Sequence, residues 1–160
     1  MEHPNDKMTG LPGREALHEE ISQRLEQQEQ LAVILLDVDS LASLNYDLWH
    51  VEGDKMLVRL AELLRQSSAG PVYRTGGDEF TLVMPQATRE QALLEGARIC
   101  ALVSAHNFGL PDGRAVTVTA GVAHAPDFAA EAQSLLDAAT DAVQIGKRAA
   151  YLRREASRSL

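Results

Sequence analysis

Two adjacent glycines between two apolar segments constrain the fold more than any other stretch. Residues 74–80, Arg-Thr-Gly-Gly-Asp-Glu-Phe, follow the apolar pair Val-Tyr and precede the run Thr-Leu-Val-Met. This pattern is typical of a β-hairpin, and Gly76 and Gly77 are predicted to form a tight turn because glycine adopts positive φ without steric cost. Asp78 and Glu79 then lie at the tip of the hairpin. Paired carboxylates beside bare backbone suit a divalent metal and a phosphorylated ligand, although a structural hairpin with solvated acids would show the same pattern.

Composition narrows the class of protein. The chain has 160 residues, 45% of them hydrophobic and 24% charged, which suits one globular domain with a substantial core. A net charge of −8 and a pI near 5.1 argue against a nucleic acid polymer as partner, because a phosphate backbone requires a basic surface. Residues 31–36 form the longest apolar run, which is too short to span a membrane. We therefore expect a cytoplasmic domain without direct membrane contact, either free or carried by a membrane-anchored receptor.

Helical and strand-like patterns alternate along the rest of the chain. They predict the order helix, then β-α-β-β-α-β, then helix. Cys100 lies in one helical pattern and is predicted to be a core residue. The predicted boundaries are a helix to about Gln30, a strand at 31–36, a turn or short helix at 40–49, a helix at 51–66, two hairpin strands ending at Pro85, a helix from a Thr88–Gln91 capping box to about His106, a strand at 116–123 and a helix from about Glu131.

This order predicts an α+β fold with a ferredoxin-like βαββαβ sheet, because a hairpin between two helical crossovers forms that topology. The first and third strands are then neighbours at the centre of the sheet. Asp37, at the end of the first strand, comes close to the hairpin that carries Asp78. Magnesium prefers hard oxygen ligands and usually takes one or two carboxylates plus substrate phosphates. Asp39 is either a further carboxylate at this cleft or the N-cap of the next helix.

The hairpin sequence Gly76–Phe80 resembles the signature of the GGDEF domain, the diguanylate cyclase family. Five fixed residues arise by accident in on the order of one in ten thousand chains of this length. The similarity extends over nearly the whole chain. The segment from Asp6 to Leu17 is similar to the family's opening Asp-x-Leu-Thr-Gly-Leu-Pro-Asn-Arg motif. Further similarities lie at Asp37-Val38-Asp39, at Asn45, His50, Gly53 and Asp54, at residues 116–122, and at Asp141 with Lys147.

The resemblance implies a role for each matching position. Asp37, the carbonyl of Val38 and Asp78 would bind Mg²⁺ or Mn²⁺, and Asp78 and Glu79 would be the catalytic acids. The implied substrate-binding positions are Asn45, His50, Asp54, Gly76, Gly77 and Lys147. Of these, Asn45 and Asp54 would recognise guanine, because an amide and a carboxylate can pair with its N–H donors and its O6 acceptor. Lys147 would reach the triphosphate.

The function implied by the resemblance is the condensation of two GTP molecules into cyclic di-GMP and two pyrophosphates across a homodimer. GTP and cyclic di-GMP would be its ligands. An alternative is a weak or inactive GGDEF module that binds either nucleotide and regulates a fused domain. A ferredoxin-like RNA binder is excluded by the acidic charge and the aromatic content of 4%. We expect a single domain over residues 1–160, with residues 1–8 as a flexible tail, excised from a longer multidomain signalling protein.

Five departures from the family pattern bear on activity. Ala42 and Tyr151 stand where the family has cations that contact phosphate, and losing one transition-state donor typically costs about a hundred- to a thousand-fold in rate. Tyr46 and Trp49 replace an aspartate and a glycine beside the expected base pocket. Residues 67–70, Ser-Ser-Ala-Gly, replace the Arg-x-x-Asp turn of the family's product-inhibition site. We expect weak product binding at this turn, because serine lacks the charged fork of arginine.

Overall fold

The computed structural model describes residues 2–126 and 131–159, which contain four helices and four strands. The helices arise from segments with apolar residues on one side, and the strands from short apolar or alternating runs. The element bounds are α1 (Arg14–Glu26), β1 (Leu31–Val38), α2 (Leu41–Ser67), β2 (Val72–Arg74), β3 (Glu79–Pro85), α3 (Arg89–Ala105), β4 (Val118–Ala125) and α4 (Ala132–Arg158). None of the helices in these ranges combines the length and apolarity needed to cross a bilayer.

The four strands form one sheet in the order β2-β3-β1-β4, and every neighbouring pair is antiparallel. The α+β class and the ferredoxin-like strand order predicted from the sequence are confirmed. β1 pairs with β3 on one side and with β4 on the other. Asp37 consequently lies opposite Glu79 on β3 and opposite Thr119 on β4.

The core lies on both faces of the sheet, as the continuous apolar run of β1 predicts. Alternate residues of β1, such as Ile34 and Leu36, are buried with α2 and α3. The residues between them, such as Val33 and Leu35, are buried with α1 and α4. Asp37 is the next residue of β1 in this second set, which faces α1 and α4. Since side chains alternate along a strand, Asp37 reaches the α4 side of the sheet.

The β2–β3 hairpin differs from the predicted tight glycine turn. Residues 75–78 separate the two strands, and neither Gly76 nor Gly77 has a positive φ. The turn is closed instead by the carbonyl of Glu79, which accepts from the N–H groups of Thr75 and Gly76 at 3.0 and 3.3 Å. A Cβ on Gly76 would lie 3.1 Å from Cβ of Glu79, whereas one on Gly77 would have no atom within 4 Å. Gly77 therefore leaves open space at the tip.

Other boundaries are shifted from the predicted ones. β4 begins at Val118 rather than at 116, and α1 ends at Glu26. The segment predicted as a turn or short helix at 40–49 is the first part of α2, which is broken at Trp49. The capping box of Thr88 and Gln91 is confirmed. Local sequence patterns place elements well and their ends less well, because the ends depend on tertiary contacts.

The segment predicted as a flexible tail is held to the hairpin at Asp6. Its carboxylate accepts from the N–H and hydroxyl of Thr9 at 2.8 and 2.7 Å, and from Arg74 at 3.0 Å. Arg74 also donates to the carbonyls of Gly76 and Gly77 at 3.2 and 2.8 Å. One arginine thus ties the N-terminal segment to the turn.

We predict that Gly121→Ala destabilises the fold, while Gly77→Ala does not. A Cβ on Gly121 would overlap the carbonyl oxygen of Ala139 and lie 2.6 Å from the amide nitrogen of Val143, so α4 would have to move off β4. The free energy of unfolding should fall by about 1–3 kcal/mol for Gly121→Ala and change by less than about 0.5 kcal/mol for Gly77→Ala. Guanidinium unfolding of both variants measures the difference. Equal values would show that α4 does not depend on this close approach.

Candidate active site

The end of β1 lies against the tip of the hairpin. The N–H of Val38 donates to the carbonyl of Asp78 at 2.9 Å, and Asp37 is the cross-strand neighbour of Glu79. The sheet therefore brings together acids that are distant in the sequence. Burial raises the pKa of Asp37 above its ordinary value, and the nearby charges of Asp78 and Asp39 raise it further against the opposing effect of a lysine.

That lysine is Lys147 of α4. Its Nζ lies 2.5 Å from Oδ1 of Asp37, 3.3 Å from Oδ1 of Asp39 and 3.4 Å from the carbonyl oxygen of Val38. Burial lowers the pKa of Lys147, but the hydrogen bonds and charges of Asp37 and Asp39 outweigh it, so the pKa lies above its ordinary value. A protonated ammonium group therefore sits between the carboxylate and the carbonyl that were expected to hold a metal.

The residues at this cleft fit Mg²⁺ or Mn²⁺. The carboxylates of Asp37 and Asp78 and the carbonyl of Val38 are hard oxygen donors, and the ammonium of Lys147 shows that a cation is accommodated beside two of them. In residues 2–126 and 131–159 there is no cluster of three or more His, Cys, Asp or Glu side chains arranged for a metal.

Asp39 is not the N-cap of α2, so that alternative is wrong. Its two carboxylate oxygens accept from the hydroxyls of Thr117 and Thr119 at 2.8 and 2.7 Å. The N-cap is Ser40, which has a φ of 58° and makes no side-chain capping bond. Side chains alternate along a strand, so Asp39, two residues after Asp37, faces the end of β4. Its partners Thr117 and Thr119 are distant in the sequence, so local patterns do not predict these contacts.

Glu79 is half-buried and lines a cavity of about 220 Å³ between the sheet, α1 and α4. Its neighbours along the cavity wall include Thr75, Thr81, Arg14 and Asp137. Arg14 ends the opening motif noted in the sequence, whereas Asp137 belongs to none of the motifs noted there. Neither residue type nor spacing indicates that the two share a cavity.

The expected guanine-binding residues gather around the break in α2. A Cβ on Gly53 would overlap Oδ1 of Asn45, so the backbone of the second half of the helix lies directly against this amide. Oδ1 of Asn45 is buried and has no hydrogen-bond partner in the part of the chain that the structure describes. Asp54 and His50 are exposed on the same half of the helix as Gly53. No hydrogen bond or ion pair of the described residues joins this group to Lys147.

Four of the positions that depart from the family pattern are exposed. The side chains of Tyr46, Trp49 and Tyr151 are 90%, 79% and 56% exposed, and Ala42 is also at the surface. None of them brings a positive charge to the cleft.

The turn at residues 67–70 is closely packed. A Cβ on Gly70 would overlap the carbonyl of Val83, and the hydroxyl of Ser68 donates to the carbonyl of Leu64 at 2.6 Å. Arg98 of α3 donates to the carbonyl of Ser67 and forms an ion pair with Glu95 at 2.6 Å. The spacing of Glu95 and Arg98 predicts their pairing, but not the contact with the turn.

Comparisons with known proteins agree with this architecture. The family described as "Diguanylate cyclase, GGDEF domain" matches residues 4–151. Diguanylate cyclase DgcZ of Escherichia coli is 39% identical over 125 residues, which is 75% of this chain and 42% of DgcZ. Diguanylate cyclase TpbB of Pseudomonas aeruginosa is 36% identical over 155 residues, which is 91% of this chain and 35% of TpbB. A solved structure of the GGDEF domain of TpbB from Pseudomonas aeruginosa has a TM-score of 0.81 at 34% identity, covering 90% of this chain and 88% of that one.

The chain therefore belongs to the GGDEF domain family of diguanylate cyclases, and the resemblance noted from the sequence is confirmed. It spans less than half of the length of the two curated relatives named above.

We predict that Lys147→Met destabilises the domain and increases its response to Mg²⁺. Without the ammonium group, Asp37 and Asp39 repel each other and Asp78, so the free energy of unfolding should fall by roughly 1–3 kcal/mol at pH 7. The raised pKa of Asp37 means that this carboxyl is protonated at a higher pH than an ordinary aspartate. Because protonation removes the repulsion, the difference from wild type should shrink as the pH falls through that raised pKa.

Thermal unfolding with and without millimolar MgCl₂ measures the effect. Magnesium should raise the Tm of Lys147→Met more than that of wild type, because the ion takes the place of the ammonium group. Lys55→Met is the matched control, since Lys55 forms an exposed ion pair with Glu52 at 3.4 Å. A variant no less stable than this control, with the magnesium response of wild type, would contradict the prediction.

Proposed function

We propose that this domain is a diguanylate cyclase that condenses two GTP molecules into cyclic di-GMP and two pyrophosphates, with Mg²⁺ or Mn²⁺ as cofactor. The observation that carries the proposal is the ammonium group of Lys147, which is held at the end of β1. Lys147 contacts Asp37, Asp39 and the Val38 carbonyl there, beside the Gly-Gly-Asp-Glu-Phe hairpin of a GGDEF domain. An acidic cleft that already accommodates positive charge suits a divalent metal, which would in turn hold the triphosphate.

A homodimer supplies the geometry of the proposed reaction, since each subunit binds one GTP. The 3′-oxygen of each GTP would form a bond to the α-phosphorus of the other while the bond to pyrophosphate breaks, and the proton of each 3′-hydroxyl would pass to solvent. A bound Mg²⁺ supplies Lewis acidity, which neutralises phosphate charge and lowers the pKa of the hydroxyl. Asp37, Asp78 and the Val38 carbonyl would hold it.

The remaining groups of the chain position the nucleotide. When a metal takes its place beside Asp37, Lys147 would pair with the triphosphate, because its ammonium group is protonated. The open space at Gly77 would let the ribose and phosphate approach the hairpin backbone. Asn45 and Asp54 would recognise the guanine edge. Asp78, the last residue of the turn, and Glu79, the first residue of β3, would face the hydroxyl of the partner's nucleotide.

A regulatory module that binds GTP or cyclic di-GMP without turnover is the second candidate. It is favoured by Ala42 and Tyr151, which offer no positive charge where the family's pattern has phosphate-binding cations. Product formation separates the two candidates.

We predict that the domain binds GTP in preference to ATP, that binding requires Mg²⁺, and that cyclic di-GMP accumulates on incubation. Calorimetry with both nucleotides and chromatography of the products measure these properties. Asp37→Asn should abolish metal-dependent binding and synthesis, because the amide lacks the negative charge that the metal needs. The control Asp112→Asn alters an exposed ion pair with Arg114 and should retain both properties. Equal affinity for ATP would refute the guanine assignment.

We further predict that turnover is slow and that Ala42→Lys accelerates it by roughly a hundred- to a thousand-fold, because the lysine restores a phosphate-binding charge. The apparent affinity for Mg²⁺ should stay unchanged. Initial rates across a magnesium titration and a dilution series measure both effects. Specific activity should rise with protein concentration because the reaction needs two subunits. If neither wild type nor Ala42→Lys forms product while GTP still binds, the regulatory module is the correct function.

A further inference from the structure

Trp49 has a backbone conformation that favours glycine. Its φ of 71° and ψ of 154° lie outside the helical region, so α2 is interrupted at this residue. A side chain at these angles is strained, and such strain persists where the surrounding structure or a ligand makes use of it. Burial does not compensate for the strain here, because the tryptophan side chain is 79% exposed. An exposed indole on a strained backbone is therefore a candidate for contact with a ligand.

A second exposed ring lies one turn earlier in the helix. Tyr46 is 90% exposed, and Val51, just after the break, is 61% exposed. Only 4% of the residues in the chain are aromatic, so two exposed rings within four residues form an unusual apolar surface. Aromatic side chains that present a face to solvent are suited to stacking on flat ligands.

Polar groups suited to the edge of such a ligand lie at the same break. Asn45 precedes Tyr46, and its Oδ1 is buried against Gly53 without a hydrogen-bond partner among the described residues. The terminal torsion of an asparagine is broad, so rotation of the amide can present this acceptor to a ligand donor. The exposed carboxylate of Asp54 follows Gly53 directly. A flat face, an amide and a carboxylate together match a purine base with N–H donors on its edge.

We propose that Trp49 stacks on the base of the bound guanine nucleotide and that the break in α2 holds the indole in its strained position for this contact. The inference rests on the proposed function, since it concerns how the same nucleotide is held. Removal of an aromatic side chain that stacks on a base weakens binding by about 10- to 100-fold. The backbone strain at Trp49 lowers the stability of the free protein. Trp49→Gly should therefore stabilise the free protein while it weakens nucleotide binding.

Tryptophan fluorescence reports on this contact directly, because Trp49 is the only tryptophan in the chain. The probe is a GTP analogue with a methylene bridge between the α and β phosphates, which binds without releasing pyrophosphate. Addition of the analogue with MgCl₂ should quench the fluorescence saturably and protect the indole from acrylamide. Calorimetry should give a Kd about 10- to 100-fold higher for Trp49→Gly, with a raised Tm, and a Kd within a few-fold of wild type for Trp49→Phe. Leu94→Ala, which trims an exposed side chain on α3, is the control and should keep the wild-type Kd.

The outcomes separate failure of this inference from failure of the proposed function. Stacking is refuted if Trp49→Gly binds the analogue as tightly as wild type, or if it is less stable than wild type. It is also refuted if Trp49→Gly disrupts self-association at unchanged nucleotide affinity, because the rings would then form a protein contact. Equal quenching by the matching ATP analogue supports stacking but refutes guanine recognition. If wild type binds no nucleotide by calorimetry, both proposals fail.

Discussion

The antiparallel pairing of β1 with β3 is the constraint on which the candidate site depends. The register of this pair places Asp37 opposite Glu79 and joins the N–H of Val38 to the carbonyl of Asp78. Because β1 is buried on both faces, a shift of one residue would turn its whole apolar set out of the core. The packing of the core therefore also determines where the carboxylates lie.

The carboxylates at this cleft outnumber the ammonium group that contacts them. Lys147 is the cation that contacts Asp37 and Asp39, and the pKa of Asp37 is raised even in its presence, because burial and the other carboxylates outweigh the ion pair. Such a cleft gains from additional positive charge, which a divalent metal would provide at the same place. Gly121 and Gly146 lie at the contact between α4 and β4, where a Cβ would overlap the neighbouring atoms. Their lack of a side chain allows the close approach of α4, which also carries Lys147 at the end of β1.

Prediction from the sequence succeeded where the determining interactions are local or periodic. The element order, the ferredoxin-like topology and the capping box follow from apolar spacing, a glycine-containing hairpin and a short motif, and all are confirmed. It failed where a long-range contact decides the outcome. The hairpin turn is set by Arg74 and the Glu79 carbonyl rather than by positive φ, and Asp39 bonds to threonines on β4 rather than to the helix that follows it.

The sequence alone determined the family, since the signature, the apolar strand and the spacing of the helices are local properties of the chain. Only the tertiary structure decided three further features: that Lys147 lies between Asp37 and Asp39, that the amide of Asn45 is closed off by Gly53, and that Trp49 breaks α2 in a strained conformation. Each of them depends on residues brought together by packing or on a backbone angle that no local pattern reports. The roles of these residues stay predictions for the experiments on metal and nucleotide binding.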